Sequence, residues 1–330
     1  MRLARRLSAR LLTGLVMIWV VASGTFFLVR LMPGNPVATA YEADIVHGMT
    51  PDQASAATAL LYGFVPRQPL LQQYLAYLGQ LAHFNLGQSI TYEGVPVAHI
   101  VAAAAPWTII LVLSGILVSF VIGACAGVLA ATRRSTKTGD LLTVSGSLLH
   151  GIPQFIIAIL LAYVFTTLWA VLPFGAPYDV TLTPGWNLEF IGSLVTHAIL
   201  PVAAYALASY GGWLLTMKSS VVSVLGDDFI LAAELRGLRP LTIMRYVARN
   251  AMLPLFTILA LTIGFMFGGA IFIEHVFIYP GLGDLLLSSI GKRDYPLMTG
   301  TFLIITTAVI LANILADLLY GVIDPRVRRG

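Results

Sequence analysis

An all-α membrane protein with six transmembrane helices is the fold this sequence predicts, and three observations predict it. The first is composition. Of 330 residues, 58% are hydrophobic and only 10% are charged, against about 25% charged in an ordinary soluble domain. So much apolar surface requires a bilayer to face. The second is the presence of six apolar runs, each of the roughly 20 residues needed to cross a hydrocarbon core. They cover 11–31, 101–131, 141–172, 197–217, 251–277 and 298–322. The third is the placement of Lys and Arg, which gather in alternate connections between the runs.

That alternation sets the topology, because cytoplasmic loops retain Lys and Arg. One side holds Arg2, Arg5, Arg6 and Arg10, then Arg133, Arg134 and Lys137. It also holds Lys218, Arg236, Arg239, Arg245 and Arg249, and finally Arg326, Arg328 and Arg329. The other side has only Arg30, Arg67, Lys292 and Arg293. Both termini are therefore predicted cytoplasmic, which an even number of spans satisfies. The first run follows arginines, as a secretory leader does, but it is longer than the usual 7–15-residue apolar core of one. We read it as a retained span. The organisation follows: a cytoplasmic N-terminus and first helix over 1–31, an extracytoplasmic segment over 32–100, and a five-helix core over 101–330 with an inner loop at 219–250.

The outer segment opens on the turn-rich Met32-Pro33-Gly34-Asn35-Pro36. Thr50-Pro51-Asp52-Gln53 reads as a helix start, with Thr as N-cap, Pro at the first helical position and Gln closing a capping box. A second helix is predicted from near Pro69, where Leu70, Leu71, Tyr74, Leu75, Tyr77, Leu78 and Leu81 recur at helical spacing. It fits either a small external cap that meets a partner or an amphipathic helix packed on the membrane surface or the bundle.

The inner loop contains Asp227-Asp228-Phe229-Ile230-Leu231-Ala232-Ala233-Glu234-Leu235-Arg236-Gly237. Asp228 is a candidate N-cap, favoured by the helix dipole, and Gly237 a candidate C′ residue. A second helix, about 240–250, is expected to run into the fifth span, near whose start lies Pro254. A helix–glycine–helix away from lipid has the form of a docking element, and equally that of an ordinary interfacial loop.

These residues resemble a known family. Ala232-Ala233, Gly237 and Leu253-Pro254 resemble the EAA loop of permease subunits in binding-protein-dependent ATP-binding-cassette importers. The longer spacing to Pro254, and Arg249-Asn250-Ala251-Met252-Leu253-Pro254, resemble the dipeptide/oligopeptide branch. The motif's glutamate is absent, since Leu231 occupies its place and Glu234 does not replace it by position. Further matches run along most of the chain. They are Met32–Pro36, Gln73-Tyr74, Asn85-Leu86-Gly87-Gln88-Ser89, Pro106-Trp107-Thr108, the stretch from Ile273 through Glu274 to Gly283, and Ala316-Asp317-Leu318-Leu319-Tyr320 followed by Asp324-Pro325-Arg326.

The resemblance implies a type I importer permease fold in a prokaryotic cytoplasmic membrane, importing di- or oligopeptides, with nickel or oligosaccharide as the alternative cargo. It implies three kinds of partner: a second, homologous permease, ATP-binding-cassette ATPase subunits and an extracytoplasmic solute-binding protein. It further implies that the inner loop is a coupling helix, making Asp228, Phe229, Ala232, Ala233, Glu234, Arg236 and Gly237 the candidate ATPase contacts. Glu274, Asp317 and Pro254 are structural or gate candidates, and for the two carboxylates we favour a structural role.

Other functional classes lack their residues. No G-x-x-x-x-G-K-[ST] phosphate loop occurs, nor H-E-x-x-H or G-x-S-x-G, so no catalytic role is expected and ATP must be bound by another chain. One cysteine, Cys125, and six scattered histidines give no metal-ligand spacing, and no cofactor is expected. The net charge of +4 is dispersed between spans rather than gathered in a nucleic-acid patch. A stand-alone secondary transporter would show inverted repeats with paired broken helices, and no such repeat is visible. Gly123-x-x-x-Gly127 and Gly264-x-x-x-Gly268 allow close helix approach, within the subunit or against a partner. Trp107, Trp169 and Trp186 are expected near the outer membrane boundary.

Overall fold

Proline and glycine decide where these apolar runs break into helices. The structure, a computed structural model, describes residues 2–31, 36–62, 69–264 and 270–323. Among the described residues every extended element is helical, apart from an isolated Gln88–Pro96 bridge. Among the described residues five helices are long and apolar enough to cross a membrane, and the number is six if one bent pair counts as a span. The chain divides into two compact units.

The first unit comprises 1–108 and 280–314. It contains α1 (Arg2–Leu31), α2 (Pro36–Val46), α3 (Pro51–Tyr62), α4 (Leu70–Ala82), the start of α5 (Val97–Thr132), α12 (Leu282–Gly291) and most of α13 (Tyr295–Ile323). The capping box that starts α3 is formed as expected. Thr50 N–H donates to Gln53 Oε1 (2.9 Å) and Gln53 N–H to Thr50 Oγ1 (3.3 Å). The helix expected from Pro69 is α4. The helices α2 and α12 were not anticipated, and residues 32–35 of the expected turn lie outside the described residues. Phe26, Val29, Val37 and Tyr62 form a buried core, with Tyr74 and Tyr77 packed against it. Burial pushes the Tyr77 hydroxyl up to about 12.

The second unit comprises 109–279 and 315–330. Here α5 continues, followed by α6 (Lys137–Gly151), α7 (Gln154–Ala162), a π-helical turn (Tyr163–Leu168), α8 (Leu188–Leu225), α9 (Asp228–Leu235), α10 (Pro240–Gly264) and α11 (Ile271–Val276). The expected run over 141–172 is not one straight helix: it bends through 100° between α6 and the stretch that begins with α7. Pro153 is the cause: it forces Ile152 into extended backbone (φ −86°, ψ 126°) and has no N–H to continue the ladder. The expected single run over 251–277 is likewise interrupted. It begins within α10, Ala270 is non-helical, and α11 is separate. The expected fourth span, 197–217, is the middle of the much longer α8, whose N-cap Asn187 accepts from Phe190 N–H (2.7 Å).

Glycines permit the close helix contacts of this unit. A Cβ on Gly123 would lie 2.5 Å from Trp213 Cβ, and one on Gly127 would lie 2.5 Å from Met217 Cβ. The first small-residue pair therefore packs α5 on α8 inside the subunit. A Cβ on Gly211 would meet the Gly146 carbonyl at 2.0 Å, so α6 and α8 touch backbone to backbone. Trp213 Nε1–H donates to Ser119 Oγ (3.0 Å), and Lys218 Nζ donates to Thr143 Oγ1 (2.8 Å). The first of these bonds satisfies polar groups that burial would otherwise leave unpaired. Gly268 lies outside the described residues. Of the tryptophans, Trp169 and Trp186 are exposed and Trp107 is half-buried.

Candidate functional site

The loop over 219–250 folds as a short exposed helix held between two long ones. After α8 ends at Gly226, Asp227 takes the N-cap position of α9 in extended backbone (φ −78°, ψ 143°). This corrects the expectation for Asp228, which is the first helical residue. The side chain of Asp227 makes no capping bond, so the two acids act through charge at the positive end of the helix dipole. Arg236 and Arg239 complement the opposite end.

The C-terminus of α9 is closed as its glycine predicts. Gly237 adopts φ +71°, its N–H donates to the Glu234 carbonyl (2.8 Å), and Leu238 N–H donates to the Ala233 carbonyl (3.3 Å). This is a Schellman motif. The space around Gly237 is open, with no atom within 4 Å of where a Cβ would stand, so the requirement for glycine there is conformational, not steric.

Burial divides the helix into two faces. Ile230 and Ala233 are buried, while Asp228, Phe229, Leu231, Ala232, Glu234, Leu235 and Arg236 are exposed. Leu235 and Leu241 are more than 80% exposed, and Leu238 is partly so. On α10, Val247, Ala251 and Leu255 are fully buried at four-residue spacing, while Arg245 and Arg249 are exposed. The outward face thus carries large apolar side chains rimmed by charge, a composition that suits contact with a protein or with the membrane surface. Glu234 and Leu231 are both on that face, so an apolar side chain is exposed where the motif has its carboxylate.

The three other candidates differ. Pro254 sits inside a continuous α10, where it deprives the Asn250 carbonyl of its helical donor, and Asn250 Nδ2 donates to the Tyr246 carbonyl (2.8 Å). Glu274 is fully buried on α11, and its carbonyl accepts from Tyr279 N–H (2.8 Å). The side chain of Asp317 lies outside the described residues.

Several motif residues prove to be internal staples. Thr108 Oγ1 accepts from Leu282 N–H (2.8 Å), joining Pro106-Trp107-Thr108 to Pro280-Gly281-Leu282-Gly283. Gly87 has φ +81°, and a Cβ there would lie 2.1 Å from the Leu61 carbonyl oxygen. Ser89 Oγ donates to the fully buried Asp294, which also accepts from Thr91 N–H (2.8 Å) and Leu297 N–H (3.1 Å). Sequence reading missed Asp294. Its signal was an Asp immediately before Tyr295-Pro296 and a long apolar run, the signature of an N-cap.

Comparison with known proteins agrees with this architecture. The family described as "binding-protein-dependent transport system inner membrane component" matches residues 123–329. A Brucella ovis protein provisionally named a peptide permease is 36% identical over 320 residues, covering 97% of each chain. An oligopeptide transport system permease protein of Bacillus subtilis is 30% identical over 306 residues, covering 92% of each. A nickel import system permease protein of Staphylococcus aureus is 31% identical over 320 residues, covering 97% of this chain and 90% of that one.

Proposed function

Because this chain belongs to the family of binding-protein-dependent transport system inner membrane components, we propose that it forms half of the translocation pathway of an ATP-driven importer of di- or oligopeptides. A second, homologous permease completes the pathway. Separate ATPase subunits hydrolyse ATP on the cytoplasmic side, where the Arg- and Lys-rich loops and both termini lie, and an extracytoplasmic binding protein delivers cargo. Peptide cargo is supported by the names of the Brucella and Bacillus relatives.

The observation that carries the reading is α9. It is a capped helix whose Phe229, Leu231 and Leu235 are exposed, set between α8 and α10, each long enough to cross the bilayer. Seated in a groove of an ATPase, it would pass that subunit's movement into two spans at once. Asp228 and Arg236 bracket the contact, Ala232 allows close approach, Ala233 packs it inward and Gly237 sets its exit.

The test is reconstitution of the purified complex in proteoliposomes carrying the Leu235→Asp substitution. Leu235 is 81% exposed, so folding should be kept while cargo-stimulated ATP hydrolysis and uptake fall together. Unchanged uptake by a well-folded variant would reject the docking role. Mass spectrometry of the co-purifying subunits and of ligand on the binding protein decides the cargo. Nickel, favoured by the Staphylococcus relative, would keep the mechanism and change the substrate.

A further inference from the structure

We infer that α4 is an interfacial membrane helix whose Leu71, Leu75, Leu78 and Ala82 stripe is seated in lipid at the outer boundary of the bilayer. Three observations of the first unit carry this.

The first is depth. α4 packs on α1, whose apolar spanning stretch is Arg10–Val29. Ser23 Oγ donates to the Trp19 carbonyl (2.7 Å), and the Tyr74 hydroxyl bonds Ser23 Oγ (2.7 Å). Tyr74 also stacks on Phe27 with ring centroids 5.8 Å apart, and Tyr77 lies 5.3 Å from Phe26. Ser23, Phe26 and Phe27 lie in the last three turns of α1, so α4 packs beside the end of the span, the level at which interfacial helices bury their apolar faces.

The second is the division of the α4 surface into three stripes. Gln73, Tyr74 and Tyr77 face the protein. Leu71, Leu75, Leu78 and Ala82 recur at helical spacing along the adjoining side, with Leu71 68% and Leu75 58% exposed. Gln72 and Gly79 form the remaining exposed edge, while Ala76 packs on the core and Gln80 lies beside it, its Oε1 accepting from Asn85 Nδ2 (2.7 Å). A helix lying between protein, lipid and water needs three such sides. A helix standing in water needs only two.

The third is charge and continuity. The 13 residues of α4 include no Asp, Glu, Lys or Arg, which suits insertion, and a helix of this length is too short to span. Tyr74 seats α4 against Phe27, and α1 itself exposes Phe27 and Leu28, so the lipid-facing surface of the span extends onto α4. A protein partner would need no such alignment with the depth of α1.

The test is nitroxide labelling of the full chain in proteoliposomes, in a Cys125→Ser background. Labels at Leu71→Cys and Leu75→Cys should collide readily with oxygen and poorly with a water-soluble nickel chelate. At Gln72→Cys the ratio should invert. High chelate accessibility at Leu71 and Leu75 would overturn the inference, and so would exclusion of both reagents, which would indicate a covering protein. Thermal unfolding of each labelled protein at the unlabelled temperature confirms that the fold is kept.

Discussion

The Ser89 hydroxyl and the Asp294 carboxylate are hydrogen-bonded across 205 positions of sequence, with both residues fully buried. Asp294 at once caps α13 through Leu297 N–H, holds Thr91 N–H, and receives Ser89, whose Oγ in turn accepts from Tyr92 N–H (3.0 Å). One carboxylate therefore fixes the turn at 89–92 to the start of α13.

Asp294→Ala should be strongly destabilising. It removes an N-cap worth roughly 1 kcal/mol and strands buried donors at roughly 1–3 kcal/mol each. Ser89→Ala should cost less, about 1 kcal/mol, because Asp294 keeps its two backbone donors. Thermal unfolding in detergent gives the order. Equal losses would mean that the carboxylate is not the hub.

Ile278 is a β-branched residue at φ +51°, the C′ position of α11, with its own N–H donating to His275 and that of Tyr279 to Glu274. Such a conformation costs roughly 1–3 kcal/mol. Ile278→Gly should raise the unfolding temperature, since 59% of the side chain is already exposed. A fall would show that its packing outweighs the strain.

Gly237→Ala should act in the opposite direction, lowering stability by about 1 kcal/mol through its positive φ. In the reconstituted importer it should also loosen the ratio of ATP hydrolysed to cargo moved. A stable variant with a normal ratio would separate the cap of α9 from coupling.

Gly211→Leu should prevent folding of the second unit or expand it, because even a Cβ meets the Gly146 carbonyl at 2.0 Å. Overpacking of this kind costs roughly 1–3 kcal/mol or more. The check is recovery of monodisperse protein after detergent extraction, with Gly212→Ala, which has open neighbours at 3.6 Å or beyond, as the tolerated control.

Alkaline stability should reflect Tyr77. Its folded value, about 12, lies above the ordinary 10.0 because burial disfavours the phenolate. The folded state therefore holds its proton more tightly, and this contribution is complete below pH 10 and lost as pH rises towards 12. Tyr77→Phe should lose less stability than the parent between those values, as read by unfolding temperature at each pH.

Much of this was legible in the chain because the signals are local. Helix caps depend on a few neighbouring residues, so Thr50-Pro51-Asp52-Gln53 and Gly237 carry their own structure in their spelling. The apolar runs point to six spans because lipid sets both their length and their composition. The 100° bend had a local signal too, in Ile152-Pro153, but hydropathy is blind to it, since a bent run is as apolar as a straight one. On α9 the pattern places the helix yet points to Asp228 for a position that Asp227 holds, a shift of one residue that pattern cannot resolve.

By itself the sequence determined that the chain is helical, that it crosses a membrane several times, and that a capped helix separates two of its spans. Composition, periodicity and short-range capping are written residue by residue. Only the tertiary structure decided that Thr108 meets Leu282, that Ser89 meets Asp294, that Gly123 and Gly127 serve packing inside the subunit, and which sides of α4 and α9 stay uncovered. Those outcomes depend on which distant backbones approach within hydrogen-bond or van der Waals distance, and no local pattern specifies that.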